Sequence, residues 1–186
     1  MIRGEAAPAS AVFPEDSFCA EGFSNGKGNR AMTSPSPNLE ERAHEAAQQP
    51  AYGFGATIDV PFDAAVARLT EELKAEGFGV LTTIDVQQTL KEKLGIDFER
   101  YLILGVCNPQ LAYRALEAEH EVGLVLPCNV VVHEAHEPGG ERSAQRTRID
   151  IADPIVMLGI VPPSDVQRVA CDARNRLQRV ADRLNP

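Results

Sequence analysis

The chain has 186 residues, which is enough for one domain with a substantial core. Apolar residues make up 44% of the sequence and aromatic residues only 5%, so we expect a mainly aliphatic core. The formal net charge of −9 argues against nucleic-acid and anionic-membrane partners, because both require clustered Lys and Arg.

The first 50 residues differ in composition from the rest of the chain. They contain clusters of Gly, Ser, Pro and Asn and show no sustained hydrophobic periodicity. We predict a disordered tail over residues 1–50 and a single domain over residues 51–186. The N-terminus lacks the apolar stretch of a secretory signal, and no apolar run is long enough to predict a membrane span. We therefore expect a cytoplasmic protein whose cysteines are reduced.

Hydrophobic periodicity predicts the order strand, helix, strand, short helix, strand, helix, two strands, helix. The strands are predicted at about residues 54–60, 78–86, 101–106, 124–133 and 144–151. Helix starts are predicted at Pro61, at the capping box Thr89–Glu92, at Asn108-Pro109 and at the capping box Ser164–Gln167. Gly77 and Gly95 are placed to end the first two helices, and residues 155–161 are interpreted as an apolar connector.

This order predicts an α+β fold with two layers, in which a mixed or antiparallel sheet of about five strands carries helices on one face. Residues 101–106 and 124–133 are apolar on both faces of their strands. If helices cover one face, another surface must cover part of the other. A second copy of the chain is the simplest candidate, so we predict a homodimer.

Two Cys-Asn pairs follow or interrupt apolar runs, as Cys107-Asn108-Pro109 and as Cys128-Asn129 after Leu126-Pro127. A strand–helix–strand crossover between them would make the third and fourth strands parallel. The lengths of the helix and strand bring both pairs toward one end of the sheet. The candidate ligand-binding residues are Cys107, Asn108, Pro109, Cys128 and Asn129.

The chemistry of this site has a functional interpretation and a structural one. Cys107 precedes a helix N-terminus, which predicts a lowered thiol pKa and a reactive or soft-metal-binding pair with Cys128. Alternatively, Cys128 is a small core residue and Asn108 and Pro109 only begin a helix. Two cysteines are too few for a closed zinc site. His133 and His136 are expected to be exposed beside a hairpin turn.

Other motifs do not support a cofactor or a catalytic centre, so we expect no cofactor. Gly53-Phe-Gly55 opens a strand rather than following one, and Gly22–Gly28 departs from the phosphate-loop spacing. No serine triad can be assembled. The arginine-rich face of the last helix is interpreted as a solvated surface.

Residues 101–132, residues 77–98 and Asp153-Pro154 together resemble the domain-of-unknown-function 302 family. The resemblance covers most of residues 52–184. It implies a compact α+β fold of the TATA-binding-protein-like type and a tendency to dimerise, and it implies no established activity. It also implies that the cysteines belong to one branch of the family.

Three functions remain open from the sequence. The first is a non-enzymatic homodimer that binds a small ligand or a partner at the sheet end near Asn108 and Asn129. The alternative is a thiol-dependent redox or soft-metal-handling protein that uses Cys107 and Cys128. A hydrolase or isomerase is a third option, although its acidic residues cannot be identified.

Overall fold

A computed structural model of the chain describes residues 50–136, 142–162 and 164–184. The predicted disordered tail, apart from Pro50, lies outside these residues, as does the hairpin turn predicted at residues 137–141. The division into a tail and a single domain over residues 51–186 therefore stays a prediction.

Within the described residues the chain forms five strands, five α-helices and one 3-10 helix. The strands are β1 (Gly53–Ile58), β2 (Gly79–Asp85), β3 (Tyr101–Cys107), β4 (Cys128–His136) and β5 (Arg142–Ala152). The α-helices are α1 (Phe62–Ala75), α2 (Val86–Leu94), α3 (Pro109–Ala118), α4 (Pro154–Leu158) and α5 (Val166–Leu184). The 3-10 helix spans His120–Val125. None of the described helices is both long and apolar enough to cross a membrane.

The strands form one sheet in the order β1-β5-β4-β3-β2, and every neighbouring pair is antiparallel. Helices α1, α3 and α5 pack on one face of this sheet, which confirms the predicted α+β architecture. The core between the layers is mainly aliphatic, as predicted. Its largest fully buried side chains include Leu69, Leu73, Ile149, Ile151, Leu177 and Leu184.

The prediction that the third and fourth strands are parallel is wrong. In the β3–β4 pair, Val106 lies opposite Cys128 and Leu104 lies opposite Val130, in antiparallel register. Helix α3 carries the chain away from the end of β3 for roughly 15 Å. Residues 119–127, which include the 3-10 helix, then bring it back to the same end of the sheet. The connection makes two passes rather than one, so β4 starts beside the end of β3.

Three local predictions also need correction. Strand β4 begins at Cys128 rather than Leu124, because residues 120–125 form the 3-10 helix. Helix α2 begins before Thr89, because the Asp85 carboxylate accepts a hydrogen bond from the Gln88 backbone N–H at 2.8 Å. The predicted connector contains α4, which Asp153 caps through the Ile155 backbone N–H.

Hydrogen bonds from the start of α3 and from α5 meet at Glu76, the residue that follows α1. The Glu76 carbonyl accepts hydrogen bonds from the Asn108 side chain at 3.4 Å and from Arg176 at 3.2 Å. Its carboxylate accepts hydrogen bonds from Arg179 and Arg183 on α5. The hydrogen bond from Arg179 is the main reason that the Glu76 pKa is lowered. The arginines of α5 therefore connect helices and are not simply a solvated surface.

Gly77 and Gly95 provide a matched pair for testing how closely the chain after Glu76 packs against Asn108. Both have left-handed backbone angles, with φ values of 79° and 68°. A Cβ atom at Gly77 would lie 2.9 Å from Asn108 Nδ2, whereas nothing lies within 4 Å of one at Gly95. We expect Gly95→Ala to lower the free energy of unfolding by about 1 kcal/mol, through backbone strain alone. Gly77→Ala should lower it by about 2 kcal/mol or more in urea titrations, because a steric clash adds to the strain. Equal losses would contradict the close packing around Asn108.

Candidate functional site

The structure brings the two Cys-Asn pairs to the same end of the sheet. Asn129 lies opposite Gly105, and Cys128 lies opposite Val106. Val106 directly precedes Cys107 in β3. Directly opposed residues of an antiparallel pair share a face, so Cys128 lies on the core face with Val106. Cys107, the next residue along β3, lies on the other face. The two thiols are thus neighbours at one sheet end but belong to opposite faces.

Burial raises the pKa of both thiols. For Cys107, burial is the cause of the raised pKa. For Cys128, burial and, second, the charge of Cys107 raise the pKa to about 11. The prediction of a lowered pKa for Cys107 is therefore wrong. The backbone N–H groups of Gln110 and Leu111 donate to the Asn108 side chain, which takes the donors that could have stabilised a thiolate.

Asn108 is a buried structural residue, with 6% of its surface exposed. Its Oδ1 atom accepts hydrogen bonds from Gln110 and Leu111 at 3.1 and 3.2 Å, and its Nδ2 atom donates to the Glu76 carbonyl. These bonds occupy both ends of the amide. Pro109 is the exposed first residue of α3. The first Cys-Asn motif therefore fixes where α3 starts and what it packs against.

The second motif lines a cavity of about 210 Å³ at the same sheet end. Both Cys128 and Asn129 lie in its wall, whereas Cys107, Asn108 and Pro109 do not. The wall is formed by the 3-10 segment with the two residues after it, the start of β4, the end of β5 and helix α4. Its residues are Leu124, Val125, Leu126, Pro127, Cys128, Asn129, Ala152, Pro154, Met157 and Leu158. No Asp, Glu, Lys, Arg or His belongs to this described wall.

Exposed aliphatic side chains surround the cavity. Leu124 is 88% exposed and Met157 is 39% exposed, and both are wall residues. Ile155 and Val156 of α4 and Ile160 just beyond it are also exposed. The surface around the cavity is therefore apolar, like the cavity itself.

Sequence reasoning missed a polar cluster on the outer face of the sheet, opposite α1 and α5. The His133 ring stacks on Tyr101 with a centroid separation of 5.5 Å, and its Nε2 atom lies 3.7 Å from Asp150 Oδ2. Asp150 also accepts hydrogen bonds from Arg148 at 2.6 and 2.9 Å. The alternation of apolar and charged residues along β5 is consistent with Arg148 and Asp150 facing outward, but it does not show which residues of β4 lie beside them.

The prediction of an exposed His133 is wrong, because only 23% of its side chain is exposed. The prediction for the His136 side chain lies outside the described part of the structure. His133 lies five residues along β4 from Cys128 and does not line the cavity. Among the described residues, no group of three or more His, Cys, Asp or Glu side chains could hold a metal ion.

On the outer face of the sheet, His133 and Asp150 shift each other's pKa values. Burial acts to lower the pKa of His133, but the hydrogen bonds with Asp150 and with the Glu134 carbonyl outweigh it and raise that pKa. Burial acts to raise the pKa of Asp150, but hydrogen bonds from His133 and Arg148 lower it. A protonated His133 and an ionised Asp150 therefore stabilise each other.

The raised thiol pKa values predict slow alkylation near neutral pH. In a Cys107→Ser variant, the midpoint for alkylation of Cys128 should still lie above the ordinary thiol value, because burial remains, but below the wild-type pKa of about 11, because the charge of Cys107 is gone. In a Cys128→Ser variant, the corresponding midpoint for Cys107 should lie above the ordinary value for a thiol. Peptide mapping by mass spectrometry locates each adduct, so the other cysteines do not confuse the result. A Cys107 midpoint below the ordinary value would restore the reactive-thiol hypothesis.

The pair of His133 and Asp150 predicts a pH-dependent contribution to stability. Because the folded pKa of His133 is raised, its contribution is fully present below the unfolded pKa of about 6.5 and is lost as pH rises through the folded value. Asp150, whose pKa is lowered, stays ionised over this window. The difference in unfolding free energy between the wild type and His133→Gln should therefore shrink from pH 6 upward in urea titrations. His120→Gln, at an exposed position, is the matched control for the substitution itself.

Comparison with known proteins adds family information to this geometry. Residues 54–184 match the family described as "Domain of unknown function DUF302". A solved structure, described as the crystal structure of uncharacterized conserved protein DUF302 from Bacillus stearothermophilus, is 34% identical to this chain, with a TM-score of 0.63. The match covers 73% of this chain and 100% of the other. None of the curated proteins matches the chain.

Proposed function

The chain belongs to the DUF302 family, and we propose that its domain binds a small molecule in the cavity beside Cys128 and Asn129. The observation that carries this proposal is the cavity itself. It lies at the sheet end where the second Cys-Asn motif starts β4, and its wall combines segments from distant parts of the chain. Small-molecule sites commonly lie where several elements meet in this way.

The size of the cavity supports a ligand somewhat larger than benzene. An engineered cavity of about 150 Å³ in another protein holds benzene, whereas drug-sized ligands need roughly 300 Å³ or more. At about 210 Å³, this cavity suits a ligand of on the order of eight non-hydrogen atoms.

The chemistry of the wall supports an uncharged and mainly apolar ligand. The described wall contains no charged side chain, so an ion entering it would lose hydration without gaining a counter-charge. The raised pKa of Cys128 keeps its thiol neutral at physiological pH. Asn129 is the one described wall residue with an amide side chain, but strand alternation directs that side chain to the sheet face opposite Cys128.

The same wall supports binding rather than acid–base catalysis. Apart from the neutral Cys128 thiol, none of its described residues has a titratable side chain, so it offers no general base. The thiol-dependent alternative gains no support, because burial raises the pKa of both cysteines and strand alternation places them on opposite faces.

A cavity-filling substitution tests the proposal. Ala152→Leu adds bulk to the wall, and Ala67→Leu adds the same atoms at an exposed position on α1 as the matched control. Probes are uncharged aliphatic and aromatic compounds of six to ten non-hydrogen atoms, whose binding is measured by ligand-observed NMR on the full chain. We expect at least tenfold weaker binding to the Ala152→Leu variant and unchanged binding to the control.

Two results would overturn the proposal. Either no probe binds the wild type at millimolar concentration, or probes bind the wild type and both variants equally well. Urea titration of each variant shows whether it is folded. If Ala152→Leu does not fold, Met157→Glu, which places a charge at a partly exposed wall position, replaces it with the same expected loss.

A further inference from the structure

The cavity at the sheet end opens onto a surface of exposed aliphatic side chains. Leu124 and Met157 belong to the cavity wall and are also exposed, so they lie at its mouth. Ile155, Val156 and Ile160, from helix α4 and the turn after it, are exposed as well. We call these five residues the apolar rim. The 3-10 segment that carries Leu124 contacts α4, so the two parts of the rim lie side by side.

The apolar rim is a candidate for contact with the same ligand that enters the cavity. Monomeric proteins rarely expose large contiguous apolar patches, and those that they do expose often mark ligand-binding grooves or interaction sites. Here the patch and the cavity share two residues, Leu124 and Met157. An occupant that leaves the cavity through its mouth therefore meets the rim at once.

The cavity itself provides little for a polar group of a ligand. Apart from Asn129, the described wall side chains consist of hydrocarbon or carry only a sulfur atom, and strand alternation directs the Asn129 side chain to the sheet face opposite Cys128. The wall residues Pro127 and Pro154 also lack a backbone N–H. A hydroxyl or amide buried there would lose its hydrogen bonds to water and gain at most a weak one from the Cys128 thiol. The hydrocarbon end of a ligand should therefore enter, and its polar end should stay outside.

We propose that the ligand is an uncharged amphiphile whose hydrocarbon chain is longer than the cavity. This inference rests on the proposed function, because it takes the cavity as the binding site. On the order of eight carbons of the chain fill the cavity of about 210 Å³. The following carbons lie along the apolar rim, and the polar head lies in solvent beyond it.

A chain with an uncharged head fits these observations better than a compact ligand or an anionic one. A compact ligand of the same volume would fill the cavity and leave the rim in water, whereas a longer chain removes both apolar surfaces from water. The formal net charge of −9 disfavours an anionic head, because like charges repel.

A series of alkyl glucosides with six, eight, ten and twelve carbons tests the inference, because its members share one uncharged head and differ only in chain length. Each is kept below its micelle concentration, and ligand-observed NMR on the full chain measures its affinity and its competition with a small aromatic cavity probe. Each added methylene should raise affinity roughly fourfold inside the cavity and roughly twofold along the rim, where one side of the chain stays in water. The twelve-carbon glucoside should therefore bind roughly 16-fold more tightly than the eight-carbon one and displace the probe.

Leu124→Ser tests the contribution of the rim, because Leu124 is the most exposed of its residues. The ratio of twelve-carbon to eight-carbon affinity should fall from roughly 16 to roughly 4, as expected if two of the four added methylenes lose their apolar contact. Leu94→Ser makes the same change at an exposed position of α2 and should leave the ratio unchanged. Helix α2 follows Asp85, at the end of β2 opposite to the cavity, whereas Gly79 at the other end pairs with Cys107.

Several outcomes would contradict the inference while leaving the cavity as a site for compact ligands. They are small probes that bind when no glucoside does, equal affinities for eight and twelve carbons, and a twelve-carbon glucoside that binds without displacing the small probe. A ratio that Leu124→Ser does not change, or that Leu94→Ser lowers as much, would contradict it too. If urea titration shows that Leu124→Ser is unfolded, the chain-length series on the wild type still decides. Failure of both the glucosides and the compact probes to bind would remove the proposed function as well.

Discussion

The arrangement of the helical layer depends on the hydrogen bonds that meet at Glu76. Its carbonyl accepts from Asn108 at the start of α3 and from Arg176 of α5, and its carboxylate accepts from Arg179 and Arg183. Three helices are joined at this one residue. The left-handed Gly77 that follows leaves no room for a side chain beside Asn108. Because α3 leaves the sheet here, this junction also decides where the chain can return to start β4.

The candidate site follows from that return path. The chain re-enters the sheet at Cys128, beside the end of β3, and the segment before it forms one wall of the cavity. The two Cys-Asn motifs are alike in sequence but differ in role. The first provides a helix cap whose amide is hydrogen-bonded at both ends, and the second lines the cavity. A ligand-binding role is therefore assigned to the second motif alone.

Much of the fold could be predicted because its signals are local. The caps at Asn108 and Ser164, the left-handed glycines 77 and 95 and the apolar stripe of α5 all depend on residues a few positions apart. The pairing direction of β3 and β4 could not be predicted, because it depends on whether residues 119–127 continue away from the sheet end or turn back. The cysteine pKa was predicted wrongly for a related reason, because the burial that raises it depends on how the strands pack against distant parts of the chain.

By itself, the sequence determined the α+β class, the aliphatic core, most element positions and the family resemblance, because periodicity, capping residues and composition act over short distances. Only the tertiary structure decided which residues share a surface. It placed Cys107 and Cys128 on opposite faces, put His133 beside Asp150 and left Leu81 of β2 and Leu94 of α2 exposed. These contacts join residues far apart in the chain, and a reversal of one connection changes all of them.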